Sequence, residues 1–426
     1  MPTIRATVSC PVRDSFRVQQ VAGMFGLSVV ERAVERFEVD VPGTNENWQI
    51  GLIVGPSGSG KSTIACRAFG DRIYAGAAWP SSSAVVDSFG NLSIRQVVEL
   101  FTAVGFSSPP SWLKPHGVLS TGERFRCDLA RALAVGFKDD CGLRHPEGTR
   151  NCGLEDGKSA IRNPQSAIRQ PVVVFDEFTS VVDRTVAKVC SAAIAKAIRR
   201  GSIPCRFVAV TCHYDVADWL EPDWVVDMST CELMRRCLRR ENALWGRPPI
   251  ELAIHRCHVD AWKLFKRHHY LSGELPRGVR CDLTTWDGEP VNFCATAPMV
   301  ARKDHRRFAR IVTLPDYQGI GIGMRAVAAV AELHRAEGLR INVTSSHPAL
   351  VRHCERSPLW RLVGIRKSDS RRRSALFPAY CGAGGRTVVS FEYLGSGERR
   401  ATSGEEEKSS LLSVLSSSKS HPPMTA

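Results

Sequence analysis

The sequence predicts an α/β chain of two domains, and three stretches carry that expectation. The apolar run 50–54 leads into Gly55-Pro56-Ser57-Gly58-Ser59-Gly60-Lys61-Ser62-Thr63. The β-branched run 172–175 ends in Asp176 and Glu177, the shape of a buried parallel strand with an acidic tip. Far along the chain, the strand pattern 308–314 leads into Pro315-Asp316-Tyr317-Gln318-Gly319-Ile320-Gly321-Ile322-Gly323, followed over 324–336 by apolar residues at helical spacing. Two strand–glycine loop–helix steps this far apart belong to separate domains, and 426 residues are enough for each to bury its own core.

The first step fits G-x-x-x-x-G-K-[ST], placed where a phosphate-cradling loop has to sit. Glycines let successive backbone N–H groups converge on phosphate oxygens, and the helix N-terminus adds partial positive charge. Lys61 would reach the β- and γ-phosphates of ATP, and the Ser62 hydroxyl would ligate Mg²⁺. Asp176 would hold that ion through water, while Glu177 polarises the attacking water. The run 207–210 reads as another strand, ending at Thr211-Cys212-His213, where a histidine can contact the γ-phosphate. Leu119-Ser120-Thr121-Gly122-Glu123 precedes a helical pattern over 124–133.

The order of these pieces, over about residues 15–235, resembles the ATP-binding-cassette (ABC) ATPases. Leu119 to Glu123 is similar to the family's L-S-G-G-Q signature, Ser180-Val181-Val182-Asp183 to its D-loop, and His213 to its switch histidine. The resemblance implies a P-loop NTPase fold and a head-to-tail homodimer on ATP binding. There Ser120, Thr121, Gly122 and Glu123 would face the γ-phosphate held by the other protomer. The chain departs from the pattern at Thr121 and Glu123, where the family has Gly and Gln, and at Phe178, where it has Pro. No Q-loop glutamine stands in the stretch Val85-Val86-Asp87-Ser88-Phe89; Gln96 lies further on. Phe37 is either the ring that stacks on adenine or a core residue.

Composition narrows what such an ATPase serves. No run approaches the ~18 apolar residues of a membrane-spanning helix, and residues 1–17 lack the apolar core of a signal peptide. The expectation is a cytoplasmic chain whose membrane partner, if any, is a separate polypeptide. The fifteen cysteines form no C-x-x-C pair, which suits reduced, buried thiols. The cluster His255, Cys257, His258, His268 and His269 lacks a second clean ligand pair, so a structural role is favoured over metal binding. A formal net charge of +14 argues for a polyanionic partner, and residues 235–310 alone hold sixteen Lys/Arg against eight Asp/Glu. Nucleic acid is the partner this favours; a solvated arginine-rich face is the alternative.

Boundaries are readable as well. Ser120 and Asp176 are 56 positions apart, more than one helix and a short loop require. The surplus, about 138–170, contains Ser159-Ala160-Ile161-Arg162-Asn163-Pro164-Gln165 echoed by Ser166-Ala167-Ile168-Arg169-Gln170-Pro171, an inserted low-complexity loop. Residues 1–235 then form the ATP-binding domain, 236–250 a linker, 251–394 the second domain, and 395–426 a disordered tail.

The second glycine step, read between its strand and its amphipathic helix, is another anion cradle. It resembles motif A of the GCN5-related N-acetyltransferases (GNATs), which implies an α+β acyltransferase domain binding acetyl-CoA or another acyl-CoA. Gln318, Gly319, Gly321 and Gly323 would then hold the pyrophosphate. Val312, Thr313 and Leu314 would offer backbone groups to the pantetheine arm, with Ile341-Asn342-Val343-Thr344 a strand splayed from its neighbour. Upstream, Trp262, Phe265, His268-His269-Tyr270-Leu271-Ser272-Gly273-Glu274-Leu275-Pro276-Arg277-Gly278 is similar to the Mom-type branch, whose members modify adenines in phage DNA. By that resemblance His269 and Tyr270 would line an acceptor pocket; either is otherwise a core residue. The pairing of both domains in one chain resembles a prokaryotic family of ABC-type ATPases fused to acetyltransferases.

The segment 345–355 has no tyrosine to act as general acid, and His347 or His353 would substitute. Three functions of different class follow. One is an ATP-regulated acyltransferase acting on nucleic acid or an associated amine. Another is the ATPase subunit of a transporter with a regulatory C-terminal domain. The last is a mechanical DNA- or ribosome-associated ATPase whose transferase fold is inactive.

Overall fold

The computed structural model describes residues 2–11, 13–26, 32–76, 78–138, 170–235, 247–269, 274–299, 302–367 and 387–395. The expected insertion, most of the linker and the tail therefore lie outside the described residues, as does Tyr270. The chain divides into two compact units: Met1–Pro249 with Pro315–Ile320, and Ile250–Leu314 with Gly321–Ala426.

In chain order the first unit has strands β1 (Thr3–Pro11), β2 (Arg32–Asp40), β3 (Ile50–Val54), β4 (Val172–Phe175), β5 (Arg206–Thr211), β6 (Trp224–Asp227) and β7 (Glu232–Arg235). Its helices are α1 (Phe16–Phe25), α2 (Lys61–Phe69), α3 (Ile94–Ala103), α4 (Pro109–Trp112), α5 (Thr121–Leu133), α6 (Val135–Lys138), α7 (Arg184–Arg199) and α8 (Val216–Leu220). β1 and β2 form an antiparallel ribbon, and the main sheet has the order β4-β5-β3-β6-β7. β4, β5, β3 and β6 run parallel and only β7 is antiparallel. Every residue of β3, β4 and β5 is buried, as expected for parallel strands covered on both faces. Gly51 interrupts the apolar run of β3 because a Cβ there would lie 2.1 Å from the Trp224 ring. Trp224 in turn meets Trp48 edge-on at 5.5 Å and stacks on Phe69 at 6.4 Å.

The second unit adds β8 (Leu252–Cys257), β9 (Arg280–Trp286), β10 (Glu289–Met299), β11 (Arg302–Thr313), β12 (Arg340–Ser345), β13 (Trp360–Lys367) and β14 (Thr387–Tyr393), with α9 (Trp262–Phe265), α10 (Ile322–Ala336) and α11 (Pro348–Arg356). They make one sheet, β13-β14-β12-β11-β10-β9-β8, in which only β11 and β12 are parallel. Adjacent residues of β10 serve different apolar clusters, as a pleated strand requires. Phe293 packs with Trp262, Phe265 and Val312; Cys294 packs with Phe308, Val327, Trp360 and Phe391.

Two features of β11 shape this unit. Its register with β10 jumps between Ala295↔Arg310 and Thr296↔Phe308, so Ala309 is an extra residue that bends the strand. Its pairing with β12 covers only His305↔Arg340, Arg306↔Ile341 and Arg307↔Asn342; both strands then continue unpaired with each other. Of the strand expected to splay, Ile341 and Asn342 pair with β11, while Val343 and Thr344 do not. The strand read over 308–314 is longer than its apolar pattern suggested and begins at Arg302. Residues 302–307 are mostly charged, and it is pairing with β10, a non-local property, that makes them a strand.

Candidate functional site

In the first unit β5 lies between β3 and β4, and because all three are parallel their following loops leave the same sheet edge. Open α/β sheets bind ligands at that edge. After β3 comes the glycine loop, with Gly58 at φ 81° and Gly60 at φ 82°. Both angles lie in the left-handed region that favours glycine. Gly60 is also hemmed in, since a Cβ would meet the Phe37 ring at 2.8 Å. Phe37 therefore sits against the loop as well as in the apolar cluster of β2 and β3. No side chain caps α2, so the first-turn N–H groups keep the orphan donor capacity of a helix start. Lys61 is buried, and its ammonium folds across the loop onto the Pro56 carbonyl at 2.7 Å. Ser59 Oγ is buried without a hydrogen-bond partner. These donors fit a polyphosphate, whose oxygens are acceptors only.

Asp176 and Glu177 follow β4. The Glu177 N–H donates to Asp176 Oδ1 at 2.9 Å, and Ser180 Oγ donates to Glu177 Oε2 at 2.6 Å. Glu177 (φ 51°) and Thr179 (φ 67°) both occupy the left-handed region, which costs a non-glycine residue on the order of 1 kcal/mol or more. The turn between them is pinned by Phe178, fully buried, whose N–H donates to Val210 O at 2.8 Å. Phe178 thus anchors the acidic turn to β5. His213 follows β5, its N–H held by Thr211 Oγ1 at 3.2 Å. Burial and then the charge of Arg184 push the His213 imidazole below its ordinary pKa, against the pull of Asp215 and Glu177. Arg184 is itself paired with Asp215. The structure thus places Gly55 to Thr63, Asp176, Glu177 and His213 on one sheet edge.

Ser120 to Glu123 have a local role that the sequence reading missed. Ser120 is the N-cap of α5, and its hydroxyl accepts from Glu123 N–H at 3.3 Å. The Glu123 carboxylate accepts from Ser120 N–H at 3.0 Å and from Ser111 Oγ at 2.7 Å. Burial would raise the Glu123 carboxyl, but those bonds hold it below the usual range. S-x-x-E before a helix is a capping box, so the signal stood in the sequence beside the signature. Gln96 serves in the same way at α3, where Ser93 N–H donates to it at 2.9 Å.

The groups expected to hold acyl-CoA divide between the units. In the second, Asn292 Nδ2 donates to Thr313 Oγ1 at 2.9 Å, and that oxygen lies 2.5 Å from where a Cβ of Gly323 would be. Only glycine lets α10 start so close to β11. Gly321, at φ 103°, precedes α10 without a side-chain cap. The Leu314 N–H is taken by Val291 O at 3.0 Å, so of the backbone groups that Val312, Thr313 and Leu314 were expected to offer to pantetheine, that donor is already bonded. Gln318 and Gly319 belong to the first unit, where Gln318 Oε1 accepts from Ser107 N–H at 2.8 Å.

Of the acceptor pair, His269 meets the buried Trp262 ring edge-on at 5.8 Å. Trp262 lines a cleft of about 370 Å³ with Asp260, Lys263, Glu274, Leu275 and Arg277. Lys263 is paired with Asp260 at 2.8 Å. His347 stands at the start of α11, its N–H on Ser345 Oγ at 2.9 Å, and His353 lies within that helix. Among the described residues no three His, Cys, Asp or Glu side chains group as metal ligands, so His255, Cys257, His258, His268 and His269 form no such site. No helix among them is long and apolar enough to cross a membrane.

No protein-family model matches the sequence, and no curated protein does. Solved structures similar to the chain are of two kinds. The ribosomal-protein-S18-alanine N-acetyltransferase of Escherichia coli is 15% identical, covers 36% of this chain and 97% of its own, and has a TM-score of 0.27. A GNAT acetyltransferase of Elizabethkingia anophelis with acetyl-CoA bound is 12% identical over 33% of this chain and 97% of its own, at 0.26. A dimeric bacterial ABC transporter cassette is 15% identical over 49% of this chain and 93% of its own, at 0.31. The protein is a mixed α/β chain with structural neighbours among acetyltransferases and ABC cassettes.

Proposed function

We propose that the chain is an ABC-type ATPase, residues 1–235, joined to an acyl-CoA-dependent N-acyltransferase domain, residues 251–394, with nucleic acid as the candidate acceptor. The observation that carries the ATPase half is the shared sheet edge. There an amide-rich glycine loop and Lys61 stand across β5 from two consecutive carboxylates. Lys61 would leave the Pro56 carbonyl for the β- and γ-phosphates. Ser62 and Asp176 would hold Mg²⁺, which neutralises phosphate charge. Glu177, oriented by Ser180, would accept hydrogen bonds from the attacking water, and a neutral His213 would donate to the γ-phosphate.

The transferase half is supported by the opening between β11 and β12. Beyond Arg307 and Asn342 the two strands do not pair with each other, and an extended amide such as pantetheine would lie along β11 there. Gly321 and Gly323 let α10 begin close to that opening. With no tyrosine in 345–355, His347 is the group proposed to move the proton, being at the mouth of β12.

The two halves are tested separately. Lys61→Ala should abolish ATP binding in a filter or calorimetric assay while CoA still raises the melting temperature. A Lys61→Ala chain that binds ATP as the wild type does would overturn the first half. Absence of CoA binding to the full wild-type chain would overturn the second.

A further inference from the structure

The acidic turn after β4 and the histidine tip after β5 are tied to each other at two places. At the base the Phe178 N–H donates to Val210 O at 2.8 Å. At the far end Arg184, the first residue of α7, makes a two-bond fork with Asp215: Nε donates to Oδ2 at 3.2 Å and Nη2 to Oδ1. His213 lies between these ties, and Glu177 directly precedes the first. Asp215 is also the N-cap of α8, where an aspartate ordinarily accepts from the first-turn N–H groups. Its side chain makes no such bond and goes to Arg184 instead.

Stability does not account for this pair. The two side chains are 37% and 43% exposed, and ion pairs so exposed contribute little. The remaining guanidinium nitrogen of Arg184, Nη1, is buried without a hydrogen-bond partner. Leaving a buried donor unbonded costs more than such a pair contributes. The neighbour that gives the arrangement a use is His213. Its charged surroundings come from three elements: Arg184 at the start of α7, Glu177 in the turn after β4, and Asp215 in its own loop. Tyr214 holds the tip from the other side, its hydroxyl donating at 2.9 Å to Asp227 Oδ1 at the end of β6. That oxygen also accepts from the Ser229 N–H at 2.8 Å.

We propose that Arg184 and Asp215 are positioning residues for ATP hydrolysis: their fork locks the Glu177 turn and the His213 tip into one arrangement and places a fixed cation beside the imidazole. This rests on the ATPase reading above. The cation acts through His213, since it disfavours the imidazolium and keeps the ring neutral as a donor. Arginine is required because its planar fork engages both carboxylate oxygens at once, which an ammonium does not.

The test is steady-state phosphate release from MgATP by the full chain over about pH 5 to 9. ATP binding by calorimetry reports that each variant is folded. Arg184→Gln should lower kcat on the order of 10- to 100-fold with KM for ATP nearly unchanged. Its acid limb should lie at higher pH than that of wild type, because the imidazole protonates sooner without the cation. Asp215→Asn should move the limb the opposite way, since it removes a carboxylate that favours the imidazolium. Arg184→Lys should return the limb to its wild-type place while recovering kcat only in part. A pair that merely holds the fold would lower the melting temperature and leave all four limbs coincident. Coincident limbs, or an Arg184→Gln kcat equal to that of wild type, would overturn the positioning role and leave the ATPase reading standing. No hydrolysis by the wild-type chain would overturn that reading and this role with it.

Discussion

Glu177 and Thr179 show how the acidic turn is positioned, because two non-glycine residues in left-handed conformation need a surround that enforces them. Phe178 supplies it through its main-chain bond to Val210 and its contacts with Phe175 and Phe207. Glu177→Gln keeps the shape and the acceptance from Ser180 but lacks the charge that, in the proposed role, would polarise water. Hydrolysis should fall about 10²- to 10⁴-fold with ATP affinity nearly unchanged; a variant that turns over normally would remove Glu177 from its assigned role. His334 offers a residue-scale prediction of another kind. It is almost fully buried, bonded to Thr296 Oγ1 at 3.0 Å, and burial followed by the charges of Arg306 and Arg280 pushes its pKa down to about 4. The unfolded chain, with an imidazole near 6.5, takes up this proton first as pH falls. The stability is therefore complete above about pH 6.5 and is lost toward pH 4, on the order of 3 kcal/mol across the window. Urea titrations at several pH values should show His334→Gln with a flatter dependence than wild type over that range; parallel curves would contradict it.

At the scale of elements, Ser120 and Glu123 close the capping box that starts α5. Ser120→Ala should destabilise the protein by about 1 kcal/mol even without nucleotide, measured as a shift in denaturant midpoint. A change seen only with ATP present would mean the cap contributes nothing. β3, β4 and β5 were legible because continuous apolar runs are local signals; β3 and β4 match the runs 50–54 and 172–175, and β5 extends the run 207–210 by one residue at each end. The strand–glycine step at Thr313, Gly321 and Gly323 was legible for the same reason. β8, β9, β13 and the charged half of β11 were not, since antiparallel neighbours define them and their sequences mix Arg, Asp and Thr with apolar residues. Nor did the motif reading foresee that Gln318 and Gly319 would be bound by Ser107 and Lys196, because nothing local relates positions so far apart in the chain.

At the scale of the whole molecule, charge and symmetry make the remaining claims. A net charge of +14 should give nucleic-acid binding that weakens steeply with salt. Binding insensitive to salt between 50 and 200 mM would instead point to the basic residues as a solvated face. Symmetry is the sharper test of the ABC resemblance. In a head-to-tail dimer each nucleotide is closed by the α5 start of the other protomer, so the assembly needs bound ATP and comes apart when the γ-phosphate is lost. Glu177→Gln separates these steps, binding ATP while hydrolysing it slowly. Sedimentation of this variant should show a dimer with MgATP and a monomer with MgADP, while Lys61→Ala should stay monomeric with either. Glu123 adds a condition specific to this chain, because its carboxylate is held on Ser111 and Ser120 and stays ionised. A negative group beside an approaching γ-phosphate weakens closure. Glu123→Gln in the Glu177→Gln background should therefore tighten the ATP dimer several-fold, with the largest gain at low salt, where charge is least screened. An unchanged dimer constant would place Glu123 away from the nucleotide and leave it only its capping role.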